Sequence, residues 1–272
     1  MNYYCELQRR AKGHLRGYWL RAIVALCVYS ALSAIVSLLF ELAAMLTGLQ
    51  SDRLPYYAIM LAQAVMSTIV CAPFLNGFRT VLWHRSEGEE PSLSAVIELF
   101  GDAKRLMRRY LLTVLSFLIT TVPAVALLAP AIIFLDRRAQ IDTQDGNAPV
   151  IILTLLGCVL LIGTALCYYV YMTMRLFAAD YIFIRDEELS AVGIIRRSFS
   201  LTRSKFKYTL ALYIRFIPWM LLNLTGFAQL YVTPYFEMTR CMYIRDLIAY
   251  SPQHSDLSGT AVFDSASQGG AV

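Results

Sequence analysis

Two ionisable residues stand inside an apolar stretch near the end of the chain, where a lipid environment would make them costly. Arg215 lies seven residues beyond Tyr208, and Glu237 lies in the apolar run that follows. On insertion scales an Arg or Asp at the centre of a spanning helix costs roughly 2.5–3.5 kcal/mol. Thr225 and Gly226 interrupt the region, so a turn centred on Gly226 puts Arg215 eleven residues before it and Glu237 eleven after. Antiparallel helices would bring both to one depth. They are therefore expected to pair, with Arg240 one turn nearer the cytoplasm. A pinned hairpin is the plainer consequence; a substrate or proton site is the sharper one.

Arg79, Arg175 and Asp180 form a second candidate set, at the cytoplasmic ends of two other apolar runs. Arginines there can snorkel to the interface, or they can ring an anionic headgroup or substrate. Pro73, Pro123, Pro130, Pro218 and Pro234 can kink their helices. Glu41, Gln63, Asn76, Asn223 and Gln229 can bond between helices, and Trp19 and Trp83 suit an interfacial belt.

Enzyme signatures are missing. The chain has no HExxH, GxSxG, Walker A loop or strand-linked GxGxxG. Its six cysteines form no CxxC and its three histidines are far apart, so neither a metal nor a cofactor is expected. The "DTQDGN" segment, with Asp142, Asp145 and Gly146, lacks the closing Glu of a calcium loop and reads as a turn.

The elements that must position these residues follow from composition. Of 272 residues, 58% are hydrophobic and 16% charged, well below the roughly 25% charged of soluble domains. Crossing about 30 Å of hydrocarbon takes about 20 helical residues. The expected fold is all-α and polytopic: six transmembrane helices over about 18–46, 56–83, 110–135, 150–177, 208–224 and 227–247. They form a single domain over 1–250, with 251–272 as a disordered cytoplasmic tail rich in Ser, Gly, Asp and Gln. The first run follows Arg9, Arg10, Lys12 and Arg16 and is too long for a cleavable signal, so it is expected to remain as an anchor.

Charge gives orientation. Eighteen Lys and Arg fall in the N-terminal tail and the segments Arg79–Arg109 and Arg175–Lys207, against Arg53, Arg137 and Arg138 in the alternate loops. Both termini are expected in the cytoplasm. The net charge of +5 sits beside apolar runs, which points to anionic lipid headgroups rather than nucleic acid. Ser92–Arg109 and Glu188–Lys207 mix apolar and basic residues at helical spacing and are expected as amphipathic helices in the headgroup region, with Val96, Leu99, Ala103 and Leu106 on one side.

An internal repeat is suggested by "EEPSLSAV" at Glu89–Val96 and "DEELSAV" at Asp186–Val192. Each is followed by a basic cluster and a tyrosine, Tyr110 or Tyr208, with a fainter copy leading to Tyr18. The expected unit is an interfacial helix and a helical hairpin, three times over.

The pattern over Ser198–Leu247 resembles a known family. Ser198, Lys205, Trp219, Thr225–Gly226, Pro234–Tyr235, Thr239 and Tyr243 carry the resemblance, with Ala11, Leu15, Gly17, Trp19, Ala22 and Asp180. The chain resembles the uncharacterised bacterial integral-membrane family catalogued as domain of unknown function 975. It departs at Ile217–Pro218, where a small-residue pair is more usual, and in its charged final run. The resemblance implies a multi-pass protein of the bacterial cell membrane and supplies no activity. From the residues, the expected function is a non-enzymatic membrane module contacting anionic lipid or a membrane-protein partner through its basic cytoplasmic helices. The alternative is a small transporter with a path lined by Arg175, Asp180, Arg215, Glu237 and Arg240.

Overall fold

The computed structural model describes residues 3–46, 53–140, 148–222, 226 and 228–250. Among these residues the chain is helical, with no strand. The helices are α1 (Tyr3–Leu15), α2 (Trp19–Leu46), α3 (Arg53–Ser86), α4 (Ala103–Gln140), α5 (Ala148–Arg175), α6 (Ala179–Arg185), α7 (Ala191–Leu222) and α8 (Gln229–Ala249). Two short 3₁₀ helices, Leu93–Val96 and Glu98–Gly101, lead into α4.

Among the described residues, four helices are long and apolar enough to cross a membrane, over Trp19–Leu46, Ala58–Ser86, Ala103–Ile133 and Ile152–Arg185. They leave large apolar side chains outside, among them Leu38, Leu39 and Leu42 on α2 and Leu153, Leu156 and Leu160 on α5. Lipid tails solvate such surface; water does not. α2 packs on α3 and α4 on α5 as antiparallel pairs. Ser33 and Ser67 hydroxyls meet at 3.4 Å in the first, and the Tyr168 hydroxyl donates to the Ile119 carbonyl at 2.7 Å in the second.

The core is gathered at one end. Leu7, Leu15, Leu26, Phe78, Leu82, Phe177, Ile182, Phe216, Tyr243 and Ile244 are all buried in one cluster. α8 forms its axis, because residues on every side of this helix are buried, charged ones included. α1 is amphipathic: Leu7, Ala11 and Leu15, four apart, face the core. It packs on α8, where Tyr3 and Arg10 each donate to Asp246 at 2.8 Å.

α8 runs alongside the last turns of α3. Glu237 meets Arg79, the Cys241 thiol approaches the Leu82 carbonyl, and Arg245 donates to the Ser86 carbonyl. Gln229 stands eight residues before Glu237, as Cys71 does before Arg79. α8 therefore begins level with the middle of α3, roughly 27 Å short of Arg53 at 1.5 Å per residue. α7 returns beside it: Thr209 meets Tyr243, and Phe216 packs on Tyr235 and Phe236. Gly226, between the two helices, takes φ +70°, a conformation glycine adopts without steric cost.

Of the six expected spans, four meet the requirement among the described residues, and α7 and α8 are not among them. Other expectations change. Ser92–Arg109 is no separate interfacial helix. It is the 3₁₀ pair and the start of α4, with Val96 and Leu99 buried in protein rather than turned to lipid. Glu188–Lys207 is the first half of α7, which bends at Lys205, where the backbone leaves helical values. Pro73 lies inside α3, Pro123 and Pro130 inside α4, Pro218 inside α7 and Pro234 inside α8. Trp83, expected in an interfacial belt, is buried in protein. In the matching "SAV" stretches Val96 is buried and Val192 exposed, so the two pack differently. Asp142, Asp145, Asn223, Thr225 and the 251–272 tail lie outside the described residues.

Candidate functional site: a buried arginine–carboxylate cluster

Four elements converge on one set of charges: Arg79 from α3, Arg109 from α4, Asp180 from α6, and Glu237 with Arg240 from α8. Glu237 accepts from Arg79 Nε and Nη2 at 3.2 Å each, from Arg240 Nη1 at 3.2 Å and from the Tyr181 hydroxyl at 2.9 Å. Asp180 Oδ2 accepts from Arg79 Nη1 at 2.6 Å and Arg240 Nη2 at 3.4 Å, and its Oδ1 from Arg109 Nη1 at 2.7 Å. Arg240 Nη2 also donates to the Phe177 carbonyl at 2.6 Å. Arg79, Arg109, Glu237 and Arg240 are 8%, 4%, 7% and 7% exposed.

Local sequence explains the placement. Glu237 and Arg240 are three apart, so one face of α8 carries both. Gly77 lets the chain at Val96 lie directly on α3: a Cβ at 77 would strike the Val96 carbonyl and Cα. That contact sits two residues before Arg79. Arg108 donates to the carbonyls of Glu187 and, at 3.1 Å, Leu189, and lies 4.6 Å over Phe183. The start of α4 is thereby tied to the segment after α6, which brings Arg109 against Asp180.

Burial on this scale is tolerable only because the charges satisfy one another. Three guanidinium groups face two carboxylates, leaving one positive charge in excess. Arg109 Nε and Arg240 Nε are buried without a partner. Arg240 is covered by the Phe177 and Tyr181 rings at 4.7 and 5.6 Å. Arg109 instead lines a cleft of about 410 Å³ between α3, α4 and α5.

The two expected sets are redistributed. Glu237 and Arg240 do join Arg79 and Asp180. Arg215 does not pair with Glu237; its Nη2 points to Cys5 Sγ of α1 at 2.9 Å. The reason is rotational: Thr209, Leu212 and Phe216 form the buried face of α7, and Arg215 stands roughly a quarter-turn off it. Arg175 also lies apart. Its guanidinium covers Phe199 at 4.8 Å, and its carbonyl accepts from Ser198 at 2.8 Å and Thr202 at 3.2 Å. Arg109, counted in the sequence only as an orientation charge, is the member that was missed. A spacing could have pointed to the cluster: Arg79 stands six residues before Arg85, and Asp180 and Arg240 each stand five before Arg185 and Arg245. At the end of α3, His84 meets Glu89 at 2.8 Å and Glu87 at 3.9 Å, an exposed group of ligand types with no further sign of a cation.

Long apolar helices around an ion-paired core at one end define a helical membrane protein. The chain belongs to the family described as protein of unknown function DUF975, whose family model matches residues 1–251. No curated protein and no solved structure matches it. Residues that carried the resemblance serve packing here: Thr239 donates to the Tyr235 carbonyl, Tyr243 meets Thr209, and Trp219 packs edge-on to Tyr235.

Proposed function

We propose that this protein is a non-enzymatic module of the bacterial cell membrane that holds anionic lipid headgroups, or a membrane partner of like charge, on a basic cytoplasmic face. The supporting observation is where the unspent charge lies. The buried arginines are committed to Asp180 and Glu237. Arg9 and Lys12 on α1, Arg16 in the turn after it and Arg21 at the start of α2, with Arg196, Arg203 and Lys207 on α7, are exposed. α1 and α7 are joined, since the Tyr4 hydroxyl donates to the Tyr208 carbonyl at 3.1 Å. Exposed acids collect elsewhere, at Glu87, Glu89, Glu90, Glu98, Asp102, Glu187 and Glu188. Each Lys or Arg near an anionic surface contributes about 1 kcal/mol.

In this reading both termini are cytoplasmic and four helices span. The α7–α8 hairpin enters and leaves on the cytoplasmic side without reaching the other. Its α8 start, level with Cys71, supports that. The test is lipid retention: protein extracted from anionic membranes is compared with Arg9→Gln/Arg16→Gln/Arg203→Gln/Lys207→Gln by mass spectrometry of bound lipid. The variant should lose most retained anionic lipid; equal retention would refute the reading.

A second reading is a small transporter, favoured by the cleft that reaches Arg109 and Asp180. Substrate flux into liposomes that vanishes with Asp180→Asn, in protein that stays folded, would select it.

A further inference from the structure

We infer that the cleft between α3, α4 and α5 is a binding site for a phosphate-bearing anion, with Arg109 as its cationic contact. This goes beyond headgroup contact at the basic surface, because none of the exposed α1 or α7 cations lines the cleft. Three observations converge. The cluster holds one guanidinium more than its two carboxylates neutralise, and a low-dielectric interior makes an uncompensated charge costly. Arg109 is 4% exposed, lines the cleft and has an Nε without a partner. The carboxylate on the cleft is already neutralised: Asp180 has Oδ1 on Arg109 and Oδ2 on Arg79 and Arg240.

The remaining lining suits an ester better than a bare ion. Thr113 and Thr120 spend their protons on the Arg109 and Ser116 carbonyls. Ser116 and Tyr169 line the same cleft, and among the described residues neither hydroxyl has a partner. Ser116 lies two turns along α4 from Arg109, about 10 Å. Ala64, Leu112 and Phe117 supply apolar walls. A phosphate on Arg109, hydroxyl-bearing substituents near Ser116 and Tyr169, and an acyl chain on the apolar wall match a phosphodiester lipid of net negative charge. Free phosphate shares the chemistry of the first contact.

The experiment measures thermal stabilisation of delipidated protein in neutral detergent by phosphatidylglycerol, phosphatidylcholine and inorganic phosphate. Stabilisation by phosphatidylglycerol but not phosphatidylcholine identifies a lipid headgroup; stabilisation by inorganic phosphate identifies a free anion. Arg109→Gln should weaken binding about tenfold or more, the loss of one charge-assisted contact. Because that variant disturbs the ion cluster, Ser116→Val/Tyr169→Phe is the second arm. It should weaken binding roughly threefold or more and melt as the wild type does without ligand. The quadruple surface variant should keep this binding, so failure here and failure of the surface reading are distinguishable. Equal stabilisation by phosphatidylcholine, no stabilisation by any of the three, or unchanged binding in both cleft variants would overturn the site.

Discussion

Arg79 and Glu237, separated by 158 positions in the chain, meet through two parallel hydrogen bonds of 3.2 Å. The contact joins the end of α3 to the middle of α8 and fixes the depth of the helix on which the core is built. Arg240 and Tyr181 complete the shell of Glu237. Removing Glu237 would leave three buried guanidinium groups facing the single carboxylate of Asp180.

The pair is therefore expected to be stronger in its breaking than in its making. Glu237→Gln should destabilise the protein by about 3–5 kcal/mol. Arg79→Met/Glu237→Leu should cost clearly less than the sum of the two single changes. A double-mutant cycle on unfolding in mixed micelles measures this; strict additivity would remove the pair from the account.

Gly77 permits the contact that seats Val96 against α3. Gly77→Ala should destabilise by about 1–3 kcal/mol, the usual cost of overpacking. Gly157→Ala, where a new Cβ meets nothing, should be neutral or stabilising because alanine favours the helix. Melting temperatures of the two variants make the comparison.

α1 is expected to be part of the core rather than a loose leader. Leu7 is fully buried, so Leu7→Ala should cost about 2–5 kcal/mol. The half-exposed Arg10–Asp246 pair should contribute at most about 1 kcal/mol, and less at high salt. Limited proteolysis of the N-terminal helix reports both.

Burial and the Asp246 carboxylate push the Tyr3 phenol above its ordinary value. The folded protein thus holds this proton more tightly than the unfolded chain does. The resulting stability is complete below the unfolded value near pH 10 and is lost as pH rises through the folded one. Alkaline release of α1, followed by proteolysis, should be blunted in Tyr3→Phe.

Much of this architecture was legible because bilayer chemistry writes long apolar runs into a sequence. The six expected runs lie on α2, α3, α4, α5, α7 and α8, within a few residues at most ends. Span count was less legible, since α7 and α8 mix charged with apolar residues and, among the described residues, are not among the four helices long and apolar enough to cross. The site was half-legible. Glu237 stood out as a costly charge with Arg240 one turn away, and Arg79 and Asp180 as a separate set at the ends of their runs, but symmetric counting about Gly226 fixed depth without fixing the face of α7 that carries Arg215. Arg109 was hidden among the interfacial arginines around it. The period-four face of α1, Leu7, Ala11 and Leu15, was present in the sequence and passed over for the basic residues between.

Depth is the property on which the account depends, and single-cysteine accessibility measures it. In a cysteine-free background, Leu46→Cys at the far end of α2, Gly226→Cys at the α7–α8 turn and Arg16→Cys beside α1 are treated with an impermeant maleimide in intact cells and in opened ones. Leu46→Cys should label in intact cells, Arg16→Cys only after opening, and Gly226→Cys in intact cells not at all. Labelling of Gly226→Cys from outside as readily as Leu46→Cys would mean that α7 and α8 cross the membrane, contradicting the placement of the charge cluster described here.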